Sequence, residues 1–237
     1  MCTVTFIPLT GSEYILTSSR DEQTTRPSAT DPEISKFGSN NLIYPKDPKG
    51  GGTWIACDDT GKTACLFNGA FYAHVPQYPY RHSRGLIVLD FFRYPDVQSF
   101  SEEYNLDNIE PFTLVIIRNR MLTEFKWDGK RTYLIDHDFT VPRIWSSATL
   151  YSKEIINLRE KWFVEWKNIN QLSRQKDLID FHLKAGDGRK ETDVLMERKE
   201  FSLRTVSITS VGVMQNKIQM EYLDLINNKT TKKELDY

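Results

Sequence analysis

The spacing of apolar and polar positions predicts strands at both ends of the chain and helices between them. Cys2 to Leu9 alternates loosely, Gly11-Ser12 offers a turn, and Tyr14-Ile15-Leu16-Thr17-Ser18 follows, so a hairpin is expected at the very N-terminus. From Asp21 to about Gly51 the pattern lapses into a polar, proline-bearing stretch that reads as a long surface loop, a kind of segment that often carries function. Thr53-Trp54-Ile55-Ala56-Cys57 and Thr63-Ala64-Cys65-Leu66-Phe67 flank Asp58-Asp59-Thr60-Gly61, a second hairpin. Centring its turn there pairs Cys57 with a residue near Lys62, so no disulfide to Cys65 is expected.

Arg84 to Arg93 reads as a short helix, and Pro95-Asp96 begins another. Phe112–Ile117, Met121–Trp127 and Thr132–Ile135 form a meander, with Asp128-Gly129 at its second turn. Ile155, Leu158, Trp162, Trp166 and Ile169 recur every three or four residues and mark one apolar helical stripe. A second helix spans Gln171 to Leu183, stopped by Gly186, and Leu203–Val211 and Ile218–Leu225 close the chain as strands. Strands, then helices, then strands indicate an α+β protein with antiparallel sheets. With no repeats and no linker, residues 1–237 read as one domain whose lysine-rich end, 227–237, frays.

Composition narrows the functional classes. The 237 residues include 39% hydrophobic positions and 13 phenylalanines, enough for a substantial core. A formal net charge of −1 gives no general attraction to nucleic acid or anionic membranes. The greasiest run, Leu86 to Phe92, is short and contains Asp90, so no integral membrane segment is expected. No signal peptide is visible, and three cysteines without CxxC spacing suit a reducing compartment, so a cytoplasmic protein is expected. His74, His82, His137 and His182 lack zinc-ligand spacing, and no metal or other cofactor is expected. Gly61-Lys62-Thr63 resembles the end of a phosphate loop but sits in a hairpin, so that reading fails. No feature specifies an oligomeric state.

Chemistry concentrates at the start of the chain. Once Met1 is removed, Cys2 carries a thiol and a free α-amine, and an amine titrating near 8 can act as the thiol's own base. Ser19-Arg20-Asp21-Glu22 ends the second strand, where a hairpin turning near Thr10 to Ser12 returns it opposite residue 2. There Arg20 would favour a thiolate and Asp21 would orient the amine.

Met1-Cys2, Arg20-Asp21-Glu22 with Arg26-Pro27, Gly51-Gly52-Thr53-Trp54, Asn68, Ser83-Arg84-Gly85 and Arg204-Thr205 occur in this order. That ordered set resembles the family named for an Asn-Arg-Asp-Glu motif, which includes the transport and Golgi organisation protein two group. The family in turn resembles the penicillin V acylase and bile salt hydrolase branch of the N-terminal nucleophile hydrolases. The resemblance implies a four-layer αββα sandwich in which Cys2 attacks an amide carbonyl, Arg20 and Asp21 flank it, Asn68 donates to the oxyanion and Arg204 completes the charged cluster. Two positions depart from the pattern: Ser19 replaces the motif's asparagine, and Ser147 stands where a second oxyanion asparagine would be.

Two functions follow as expectations. One is a cysteine amidohydrolase acting on a non-peptide linear C–N bond, with Trp54 and the aromatic segment Phe71 to Tyr80 lending the site an apolar flank. The other is a carrier on the same scaffold for an apolar ligand, with haem or lipid suggested by the family's associations; Tyr72 and His74 are side chains able to ligate haem iron.

Overall fold

The computed structural model describes residues 3–171 and 174–237, and the counts below refer to those residues. Along the chain, β1 (Thr3–Pro8) and β2 (Tyr14–Gln23) form the expected N-terminal hairpin. β3 (Glu33–Phe37), β4 (Asn40–Tyr44), β5 (Ile55–Asp58) and β6 (Thr63–Asn68) come next, then helices α1 (Arg84–Phe91) and α2 (Val97–Glu103). β7 (Phe112–Arg118), β8 (Met121–Trp127) and β9 (Thr132–His137) make the meander, and β10 (Arg143–Ser146) follows. Helices α3 (Lys153–Ile169) and α4 (Gln175–Lys184) lead to β11 (Glu197–Arg198), β12 (Leu203–Met214), β13 (Lys217–Asp224) and β14 (Lys229–Asp236).

The strands form two antiparallel sheets, one in the order β10-β1-β2-β12-β13-β14 with β11 on β12, the other β3-β4-β5-β6-β7-β8-β9. Period-two alternation explains the layering. Val4, Phe6, Tyr14 and Leu16 of the first sheet join Ile55, Cys57, Cys65 and Val115 of the second in a shared core. Ile7 and Ile15, on the opposite face of the first sheet, pack against Phe163 of α3 and Leu178 and Phe181 of α4. Ala56, Ala64 and Leu66 face the other way on the second sheet, against Ile87, Val88 and Phe91 of α1 and Phe100 of α2. The result is α–β–β–α, and each sheet is apolar on both faces because both are covered.

Three expectations change. The stretch read as loop from Asp21 to Gly51 contains the last residues of β2 and all of β3 and β4. β3 is the edge of its sheet and mostly exposed, and such a strand has no buried face to impose an alternating pattern. The supposedly frayed tail is β14, paired with β13 from Lys229 to Asp236. Its charges are those of a protected edge strand: its Lys232 meets Glu221 of β13 at 3.0 Å, and its Glu234 meets Lys217 of β13 at 2.8 Å. In α3 the inner stripe is displaced, for Arg159 and Phe163 are buried while Ile169 is 82% exposed. Arg159 replaces its lost hydration with bonds to Thr3 Oγ1 (2.5 Å), Thr192 O (3.1 Å) and Asp193 O (2.5 Å).

Candidate active site

The start of β1 lies inside its sheet: Thr3 pairs with Ser19 of β2 on one side and Ser146 of β10 on the other. Along β2, alternation splits the neighbouring charges of the Arg-Asp motif. Tyr14 and Leu16 face the inter-sheet core, and Arg20 shares their face; Ile15, Thr17, Ser19 and Asp21 face the helices. Arg20 and Asp21 therefore serve two different environments. The ladder with β12 is irregular at this point, passing from Ser207↔Arg20 to Thr205↔Asp21 with Val206 as the extra residue. Such bulges re-aim side chains beside functional sites.

Arg20 opens into a cleft of about 290 Å³ that also involves Glu22, Arg26, Asp47, Trp54, Asn68, Arg84 and Glu110. Its guanidinium lies over the Trp54 indole, 4.8 Å from the ring centroid. Asp47 and Glu22 approach its Nη2 only to 3.8 Å, beyond hydrogen-bond reach. Both carboxylates are closer to Arg26: Asp47 accepts hydrogen bonds from its Nε and Nη2, and Glu22 lies 3.5 Å from its Nε. Burial holds the pKa of Arg20 below its ordinary value, against the opposing pull of Glu22 and Asp47. Burial also opposes ionisation of Asp47, but the Arg26 hydrogen bond and charge bring its pKa below the ordinary carboxylate value. Across the cleft, Arg84 Nη2 sits 3.0 Å from Glu110, whose other oxygen meets His74 Nε2 at 3.1 Å.

The two glycine motifs fit together here. A Cβ on Gly52 would lie 2.1 Å from the carbonyl carbon of Gly85, and Thr53 N–H donates to Gly85 O at 3.0 Å. Only a glycine lets the 50–54 segment touch the first turn of α1. That turn is capped by Ser83 Oγ, which accepts from Gly85 N–H, and it borders the cleft.

On the opposite face of β2, Asp21 is almost fully buried and accepts two hydroxyl hydrogen bonds, from Tyr151 to Oδ2 and Thr205 to Oδ1, each 2.5 Å. The Arg159 guanidinium stacks on the Tyr151 ring 3.8 Å from its centroid, which strengthens Tyr151 as a donor. Ser19, at the position of the missing motif asparagine, bonds His182 Nδ1 at 2.7 Å, and Thr5 bonds His182 Nε2 at 2.9 Å. Burial, with the Arg159 charge second, depresses His182 to about 3, so its imidazole is neutral.

The structure thus gathers Arg20, Trp54 and Asn68 at one cleft, with Asp21 behind the strand. Asn68 ends β6, and its backbone carbonyl accepts a 2.9 Å bond from Ser147 Oγ, so Ser147 braces the strand end that carries Asn68. Arg204 lies elsewhere: its Nη2 donates to Leu225 O at 3.1 Å, and it lines a second cleft with Lys190 and Glu197. Its neighbour Thr205 is the residue that reaches Asp21. Cys2 lies outside the described residues. Trp54 is 3% exposed, with the Arg20 guanidinium over its ring. Sequence reasoning passed over Tyr151, Asp47 and Glu110, which sit in no motif; Arg26, Arg84 and Thr205 were visible in motifs without assigned roles.

The α–β–β–α layering is that of the N-terminal nucleophile hydrolase fold. A cysteine-to-alanine mutant of the conjugated bile acid hydrolase from Clostridium perfringens matches with a TM-score of 0.57 at 10% identity, covering 100% of this chain and 96% of that one. An arginine-to-leucine variant of that hydrolase gives 0.58 with the same identity and coverage. The Caenorhabditis elegans ortholog of N-acylethanolamine-hydrolyzing acid amidase gives 0.51 at 11% identity, covering 88% and 92%. At such identities the likeness speaks to the fold. The family model described as Transport and Golgi organisation 2 matches residues 1–182, and the chain belongs to that family. No curated protein matches it in sequence. No helix among the described residues is long and apolar enough to cross a membrane.

Proposed function

We propose that the protein is an N-terminal cysteine amidohydrolase that cleaves a linear, non-peptide C–N bond through Cys2. One observation carries the reading: Thr3, the next residue in sequence after Cys2, pairs with Ser19 at the end of β2 that bears Arg20 and Asp21 and with Ser146 on its other side. Support also comes from the shared fold of two relatives whose names describe amide or conjugate hydrolysis.

Removal of Met1 frees the α-amine of Cys2. The amine takes the thiol proton, and the sulfur adds to the amide carbonyl carbon as its π electrons move to oxygen. The Asn68 side-chain amide donates to that oxyanion, a contribution of about 3 kcal/mol for one well-placed donor. Collapse breaks the C–N bond, and the leaving amine receives the proton held by the α-ammonium. Water, deprotonated by the same amine, then splits the thioester and releases a carboxylic acid. Asp21, fixed by Tyr151 and Thr205, orients the ammonium from the helix face, and Arg20 favours the thiolate from the cleft face.

The test is turnover of an N-acyl amide panel by protein lacking Met1. Hydrolysis that disappears in Cys2→Ala supports the reading. Saturable binding without turnover, unaltered by Cys2→Ala, makes the protein a carrier instead.

A further inference from the structure

A groove of about 320 Å³ runs between α3 and α4, lined by Trp162, Trp166 and Ile169 of the first helix and by Phe181 of the second. Ile169 is 82% exposed, and both indoles are only partly buried. Apolar side chains gathered on one outer face mark an association surface, and tryptophan is a preferred anchor there. The rim of the groove is charged in a definite order. Lys161 and Glu165 lie four residues apart on α3, and Asp180 and Lys184 lie four apart on α4. Their contacts within each helix, 3.8 Å and 3.4 Å, are looser than ordinary hydrogen bonds, so all of them can take further partners. Phe163 is midway along the first pair and His182 midway along the second. The Phe163 and Phe181 rings touch with centroids 5.5 Å apart, which sets the two midpoints at one level across the helix layer.

We infer that this face is a self-association surface whose occupant is a second copy of the chain, related by a two-fold axis that crosses α3 and α4 at the level of Phe163 and His182. A two-fold interface uses the same patch on both subunits, so the patch must be complementary to itself. This one is. The axis runs each helix antiparallel to its own counterpart, which sets Lys161 against Glu165 of the second copy and Asp180 against Lys184 of the second copy, each contact occurring twice by symmetry. The indoles and Ile169 of both copies fill the centre. Exposed ion pairs of this kind fix orientation more than affinity, and the apolar centre supplies the affinity. The two helices pack on the face of the first sheet that carries Ile7 and Ile15, opposite the face of Arg20. The inference is therefore independent of the chemistry proposed for Cys2.

The experiment is sedimentation velocity of the full-length protein from about 1 to about 100 µM, which covers micromolar association. Wild-type protein is expected to reach the mass of two chains within that range. Ile169→Glu, a change at an exposed position, is expected to weaken the dimer at least about ten-fold. Lys161→Glu sets like charges across the axis and is expected to weaken it about ten-fold, while adding Glu165→Lys in the same chain restores affinity to within about two-fold. High salt narrows these differences. Both charged side chains are more than half exposed, and recovery in the double variant separates a lost contact from a damaged fold. Wild-type protein that stays monomeric throughout overturns the inference and leaves the groove to a different chain. A dimer indifferent to Ile169→Glu, or one weakened by Lys161→Glu that Glu165→Lys fails to restore, overturns the proposed two-fold packing.

Discussion

Gly52→Ala probes the contact that builds the cleft. The added methyl would lie 2.1 Å from Gly85 C, 2.3 Å from Gly85 O and 2.5 Å from Leu86 N, all backbone atoms. No rotamer change relieves an overlap with main chain, so the 50–54 segment and the first turn of α1 must separate by about 1 Å. Overpacking of this kind costs about 1–3 kcal/mol. The separation also breaks the Thr53 N–H to Gly85 O bond of 3.0 Å, worth about 1 kcal/mol. A loss of about 2–4 kcal/mol lowers the melting temperature of a chain this size by roughly 5–15 °C. Gly38→Ala is the control. Its φ is +63° but nothing lies within 4 Å of the new Cβ. Left-handed strain alone costs about 1 kcal/mol, or about 2–4 °C. Thermal denaturation followed by circular dichroism measures both. If Gly52→Ala melts no lower than Gly38→Ala, the glycine-to-glycine contact is not what joins the two motifs.

Three further outcomes are expected. His182 is depressed to about 3 in the folded state from a reference value of 6.5, so the unfolded chain binds the extra proton; its stabilising effect is complete above about pH 6.5 and is lost as pH falls towards 3. Between pH 7 and pH 5 wild-type urea stability should fall by about 2 kcal/mol more than that of His182→Gln, and parallel curves would contradict this. Burial pushes the Cys65 thiol up to about 12 and Cys57 higher still, so iodoacetamide at pH 7.5 should label Cys2 in native protein at least about 100-fold faster than either, with mass-spectrometric peptide mapping as the readout. Tyr151→Phe removes one hydroxyl donor from buried Asp21 and should cost about 1–3 kcal/mol in urea unfolding, whereas a change under about 0.5 kcal/mol would deny that bond its role.

The parts of the fold that could be read from the chain are those where one face of an element is buried and the other is not, or where a turn is chemically marked. The β1–β2 and β5–β6 hairpins and the β7–β9 meander meet that condition through Gly11, Asp58-Asp59-Thr60-Gly61 and Asp128-Gly129. β3 and β14 are sheet edges whose polar side chains look like loop or tail, and only pairing with β4 and β13 distinguishes them. Arg159 was hidden because a charge inside a helical stripe reads as an interruption, and its partners Thr3, Thr192 and Asp193 are distant in sequence. At the site, Arg20 and Asp21 announced themselves as a motif, but adjacent residues of a strand point to opposite faces. Their separate partners, Trp54 and Asp47 for one and Tyr151 and Thr205 for the other, required the tertiary structure. Arg204 and Thr205 show the same effect one strand away, where Thr205 is the residue that reaches Asp21.

The central claim, that Cys2 is an acyl-transfer nucleophile, is tested most directly by acid-quenching the protein during reaction with an N-hexanoyl amide and measuring the mass of its N-terminal peptide. The account predicts a peptide that begins at Cys2, lacks Met1 and carries a hexanoyl group as a thioester, with no adduct in Cys2→Ala. Full retention of Met1, or an unmodified Cys2 in a sample that is turning the amide over, would contradict it.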